Sequence, residues 1–125
     1  ANTNNTFAIY TMGLTMQWLK DQGGLEAIEK VNEQKAKTLY DVIDNSDFYT
    51  GTAHPQHRSI MNVTFTLPDD EQSASFLKEA LDNGLYALKG HRNVGGIRAS
   101  IYNAMPLAGC EKLAEFMKGF EKKNG

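Results

Sequence analysis

A single cysteine, Cys110, stands among the 125 residues, so neither an internal disulfide nor a cysteine metal cluster can form. It is expected as a small apolar side chain on a helix, in the reduced setting of the cytoplasm. An excess of one charge is also missing. Thirteen Lys and Arg against fifteen Asp and Glu leave a net charge of −2, which argues against a general nucleic-acid binder. No apolar stretch reaches membrane-spanning length, and no charged-then-apolar leader opens the chain. There is no G-x-S-x-G, no P-loop, no dinucleotide fingerprint and no nucleophile set beside a base. Repeats and low-complexity tracts are absent too. By size the chain is one domain of ordinary soluble composition.

What is present reads as alternating helices and strands. Phe7 to about Gln22 is expected to be a helix, apolar on nearly every side through Phe7, Ile9, Tyr10, Met12, Leu14, Met16, Trp18 and Leu19. Such a helix needs cover all round, which implies a second domain or subunit; the competing reading is a central helix wrapped by its own domain. Gly23-Gly24 ends it, and Leu25 to about Asp44 forms a second helix, with Leu25, Ile28, Val31, Leu39, Val42 and Ile43 mainly on one face. Phe48-Tyr49 is a short extended piece, followed by a loop from Thr50 to Ser59. Ile60 to Leu67 alternates as a half-buried strand, and Asp69, with Gln72 three residues on, caps a third helix closed by Asn83-Gly84. Leu85–Leu88 and Ile97–Tyr102 read as strands, and Pro106 opens a last helix. The expected fold class is α/β of the α+β type: a two-layer sandwich, with helices on one face of a small, largely antiparallel sheet.

Between the last two predicted strands runs Lys89-Gly90-His91-Arg92-Asn93-Val94-Gly95-Gly96-Ile97-Arg98. Arg offers a planar fork of donors matching carboxylate or phosphate, and glycines let backbone N–H groups come close to an anion. In the strand, Ile97, Ala99 and Ile101 point one way and Arg98, Ser100 and Tyr102 the other, so Arg98 faces the open side of the sheet. A strand fixes a guanidinium firmly enough for bidentate capture of a carboxylate. His91 and Arg92, some distance along, could take a second anionic group, a partly protonated His91 adding charge if that group is a phosphate. The competing reading is a plain hairpin with solvated arginines. Elsewhere, His54 and His57 lie three apart without a cysteine or paired carboxylate nearby and read as solvated. Arg58 and Ser59 close a loop against the sheet, and Asp44, Asp47, Asp69 and Asp70 cap turns and helices.

These residues carry a resemblance. Asn2-Thr3 with Thr6-Phe7, Trp18-Leu19-Lys20, Gly23-Gly24, Val42 to Tyr49, Arg58-Ser59, Met61-Asn62-Val63 with Phe65, and above all Lys89 to Ala104 resemble the C-terminal part of the phosphoserine aminotransferase family. That family lies in the class V, fold-type-I group of pyridoxal-phosphate enzymes. The resemblance covers essentially the whole chain and implies that residues 1–125 are the small C-terminal domain, with 1–22 a lead-in and helix packing on the large domain. It implies amino transfer between glutamate and 3-phosphohydroxypyruvate in serine biosynthesis, with a related step in pyridoxine biosynthesis. It also implies a cytoplasmic homodimer with no nucleic-acid or membrane partner.

By the same resemblance Arg98 binds the substrate α-carboxylate. His91 and Arg92 bind the phosphate of phosphoserine or the distal carboxylate of glutamate. Asn2 and Thr3 reach the cofactor phosphate of the other subunit. The Schiff-base lysine belongs to the large domain, so the fragment alone is expected to be inactive and no residue here is assigned as catalytic. Two departures stand out: Asn4-Asn5 replaces two prolines usual in the family, and Thr64 stands where many relatives have proline. The alternatives are a stand-alone anion-binding or regulatory module, and a fragment of another class V aminotransferase.

Overall fold

The computed structural model describes residues 3–125. Two units divide the chain, residues 1–31 and 32–125. The first holds α1 (Thr6–Asp21) and the start of α2 (Leu25–Asp44). Asn5 caps α1 by accepting from the Ala8 N–H at 3.1 Å, and Gly23 and Gly24, both at positive φ, turn the chain into α2. The apolar side chains of α1 stand exposed, from Phe7 at 76% to Trp18 at 38%, and only Leu19 is buried.

In the second unit β1 (Thr50–Gly51), β2 (Asn62–Thr66), β3 (Lys89–His91) and β4 (Gly95–Ser100) form one antiparallel sheet in the order β1-β2-β4-β3. Helices α3 (Asp70–Asp82) and α4 (Leu107–Asn124), with the later turns of α2, supply the other layer. Alternation decides which face is covered: Val63, Phe65, Ile97, Ala99 and Ile101 are buried, while Asn62, Thr64, Arg98 and Ser100 are half-buried on the opposite side. The core is aromatic at its centre. Phe76 packs edge-on against Tyr49, Phe65, Phe116 and Phe120, with ring centroids 5.0–6.1 Å apart. Cys110 is buried on α4, as expected, and burial pushes its thiol up. No helix among the described residues is long and apolar enough to cross a membrane.

Three sequence expectations need correction. The loop read from Thr50 to Ser59 opens with β1 and holds a single 3-10 turn at Pro55–His57. Leu85–Leu88 is not a strand: Ala87 adopts φ +58°, a left-handed conformation that breaks a ladder, and Leu85 N–H instead caps α3 through the Ala80 carbonyl. The strand begins at Lys89, so His91 lies on β3 rather than in a loop. On α2 the expected apolar face is buried only in its later turns. Leu25 and Val31 are exposed, whereas Asn32 and Lys35 are buried with Ala36, Leu39, Val42 and Ile43. Lys35 Nζ donates to the carbonyls of Ile101, Tyr102 and Met105 at 3.1, 2.9 and 3.0 Å, and Asn32 donates to Asn103 at 2.8 Å. Together they grip the turn that follows β4.

Arg58 closes its loop as read from sequence. Its guanidinium donates to both oxygens of Asp44 at 2.6 and 2.7 Å and lies 4.5 Å above the Tyr40 ring, while the Tyr40 hydroxyl donates to the Ser59 carbonyl. The Arg58 hydrogen bond holds the Asp44 carboxyl below its ordinary value near 3.8. That contribution to stability is therefore complete above the ordinary carboxylate pKa and disappears as pH falls through the lowered folded-state value. Asp44→Asn is expected to cost about 1 kcal/mol at pH 7, the half-exposed carboxylate being screened by solvent. Urea unfolding of both proteins should show the gap closing in strong acid.

Candidate anion-binding site

Arg98 sits in the middle of β4, an interior strand. Its Cα partner on β2 is Thr64, and its own N–H donates to the Leu88 carbonyl at 2.8 Å on the other side. Hydrogen bonding on both edges fixes the backbone, so the side chain leaves the open face from a rigid base. The guanidinium is half-buried, its Nε is enclosed without a hydrogen-bond partner, and no carboxylate among the described residues pairs with it. Arg58, by contrast, has both terminal nitrogens taken by Asp44. Of these two half-buried arginines, one has its anion within the chain and the other lacks one. The Nε of Arg58 is likewise enclosed without a partner, so what sets Arg98 apart is its pair of free terminal nitrogens, the pair a carboxylate takes on Arg58.

His91 and Arg98 line one cleft of about 200 Å³, together with Thr52, Thr64, Gly90 and Val94. Arg92 is exposed on the turn after β3 and is not among the residues lining this cleft. His91 Nδ1 accepts from the Asn93 N–H at 3.2 Å, so in the neutral ring the hydrogen sits on Nε2, leaving a donor on the ring's far edge. No acidic side chain lines the cleft. Its functional groups are a guanidinium, an imidazole and two hydroxyls, a set that can hold an anion in place but contains no nucleophile–base pair. A second, more apolar cleft of about 420 Å³ borders Arg98 on its other side, between residues 84–88, β4 and α4.

The glycines answer first to hairpin geometry. Gly95 and Gly96 have φ of +77° and +66°, and a Cβ on Gly90 would run into the Gly95 carbonyl across the ladder. His54 and His57 face each other with ring centroids 5.7 Å apart, and no group of three metal-ligating side chains exists among the described residues. Thr3 is exposed; Asn2 lies outside the described residues. Sequence reading missed Thr52 and Thr64 as cleft residues. The signal was available for Thr64, which alternation places on the same face as Arg98.

The family model described as aminotransferase class-V matches residues 1–113. The chain belongs to the class-V aminotransferase family. Over 125 residues it is 56% identical to the phosphoserine aminotransferase of Desulfatibacillum aliphaticivorans, covering 99% of this chain and 35% of that protein. The Bacillus subtilis (strain 168) phosphoserine aminotransferase is also 56% identical, over 98% of this chain and 34% of its own length. Among solved structures, the phosphoserine aminotransferase from Bacillus circulans subsp. alkalophilus superposes with a TM-score of 0.94 at 44% identity, over 99% of this chain and 35% of that one. The PLP-bound phosphoserine aminotransferase of Trichomonas vaginalis gives 0.86 at 38% identity, over 94% and 34%. This class-V chain thus spans about a third of the length of the relatives it matches.

Proposed function

We propose that this chain is the substrate-recognition region of a phosphoserine aminotransferase, which moves an amino group between glutamate and 3-phosphohydroxypyruvate. Arg98 takes the α-carboxylate common to both amino acids. His91 and Arg92, further along the hairpin, take the phosphate of phosphoserine or the distal carboxylate of glutamate. One observation carries the reading: a rigid, half-buried arginine without a partner shares a cleft with a histidine donor, in a chain 56% identical to phosphoserine aminotransferases.

The exposed apolar side chains of α1 support packing against the rest of a longer polypeptide, the large domain, in a homodimer. Pyridoxal phosphate, when bound, supplies the electron sink for the amino transfer. The donor set fits a supporting role toward that group. The exposed Thr3 hydroxyl, with Asn2, is suited to donating to a phosphate of the neighbouring subunit, and neither can anchor a cofactor covalently. Lys89 is exposed and does not line the cleft with His91 and Arg98, which accords with the anchoring lysine lying in the large domain. This chain's own residues bind and orient the substrate.

The test is steady-state kinetics of the full-length enzyme with Arg92→Ala. The expected result is a fall in kcat/KM of about 100-fold for phosphoserine, against about tenfold for glutamate, because the dianion loses more from a missing guanidinium. An equal loss for both would remove Arg92 from the distal-anion role.

A further inference from the structure

Thr64 and Thr52 line the cleft with Arg98, and the proposed function leaves both unused. Thr64 is the residue directly opposite Arg98 in the β2–β4 register, and both side chains stand on the open face. Directly opposed side chains have Cβ atoms about 4.5–5.5 Å apart, so the two side chains rise from adjacent points into the same cleft. Thr52, just past β1, donates its N–H to the Thr64 carbonyl at 3.3 Å, and the two hydroxyl oxygens are 2.5 Å apart.

Counting donors shows what is left over. Two hydroxyls carry two hydrogens, and the bond between them uses one. The hydroxyl that accepts keeps its own hydrogen, for which the described residues offer no acceptor. A hydroxyl that accepts a hydrogen bond becomes a better donor. The missing acceptor is supplied by the ligand already argued for Arg98. A carboxylate has about four lone-pair positions, a bidentate guanidinium occupies two, and a neighbouring O–H can take another. With no acidic group lining the cleft, no carboxylate of the chain competes for that hydrogen.

We infer that Thr64, braced by Thr52, is a specificity-determining residue that donates its hydroxyl to the substrate carboxylate held by Arg98. This rests on the reading of Arg98 as the carboxylate fork. It makes the cleft select for a carboxylate through three donors rather than two, and it acts equally on both amino-acid substrates, since they share that group.

The experiment is steady-state kinetics of the full-length enzyme with glutamate and with phosphoserine, for Thr64→Val, Thr64→Ser, Thr52→Val and Arg98→Ala. Valine keeps the shape and strand preference of threonine and removes only the hydroxyl. Thr64→Val is expected to raise KM about tenfold for both substrates with kcat within about twofold, as for one lost hydrogen bond to a charged group. Thr64→Ser should return KM to within about threefold of the parent, and Thr52→Val should raise it about threefold. If Thr64→Val fails to fold, the other two threonine variants carry the test. A KM unchanged in Thr64→Val, a rise confined to phosphoserine, or a Thr64→Ser variant as impaired as the valine one would overturn the inference. Arg98→Ala separates the two layers. A large KM effect there beside a silent Thr64→Val removes only the hydroxyl's role, whereas a silent Arg98→Ala removes the reading beneath it.

Discussion

Arg98→Ala in the full-length enzyme is expected to lower kcat/KM on the order of 100- to 1,000-fold for glutamate and phosphoserine alike. The magnitude follows from losing a bidentate, partly desolvated contact to a carboxylate, which costs about 2–5 kcal/mol. The symmetry follows from position: Arg98 is fixed on an interior strand, and the group assigned to it is present in both substrates. Arg98→Lys should recover little, because an ammonium cannot reproduce the planar fork. Arg58→Ala is the matched control. Both terminal nitrogens of its guanidinium are already taken by Asp44, so that change should lower stability and leave KM for both substrates near the parent value. Measured kcat/KM for the two substrates in each variant checks both expectations, and an Arg98→Ala effect confined to one substrate would contradict the assignment.

The second large effect concerns Lys35. Burying an ammonium is costly, so replacing it with methionine relieves a desolvation penalty. The same change strips a donor from three carbonyls. The Tyr102 oxygen still accepts from the Met105 N–H, but the Ile101 and Met105 oxygens lose theirs. At about 1–3 kcal/mol for each buried acceptor left unsatisfied, the loss outweighs the relief, and Lys35→Met is expected to destabilise by about 2–3 kcal/mol. A pH signature distinguishes this from simple repacking. Desolvation lowers the Lys35 pKa from its ordinary 10.5, opposed by the neighbouring Cys110. Between the lowered folded-state value and 10.5 the unfolded chain holds more protons, so this group makes stability rise with pH through that window. Urea unfolding from pH 8 to 10.5 should therefore show the parent's advantage over Lys35→Met widening as pH increases. An advantage that narrows would mean that the ammonium is stabilised, not strained, by its surroundings.

Much of the fold was legible because local rules act alone there. Asp69 caps α3 by accepting from Gln72 N–H at 2.7 Å, the pattern its spacing predicted, and strict alternation placed Val63 and Phe65 inside and Arg98 outside. The failures share one cause, contacts distant in sequence. Sequence reading does not single out Lys35, because the carbonyls that bury it lie 66 to 70 residues away. Its position between Asn32 and Leu39 on the stripe continuing to Val42 was the available sign. Leu85–Leu88 is apolar enough for a strand, and only the left-handed Ala87 denies it one. In the site, sequence placed Arg98 on its face and put His91 nearby. It could not show that Arg92 stands apart from the cleft lining, nor that Thr52 folds back beside Thr64, because both depend on how the hairpin and the edge strand close.

The most direct measurement is a crystal structure of the full-length enzyme with phosphoserine bound. The account predicts the substrate carboxylate within hydrogen-bonding distance of the Arg98 guanidinium, with the phosphate at the His91 and Arg92 end of the hairpin. A carboxylate seated elsewhere, with Arg98 still facing solvent, would contradict it.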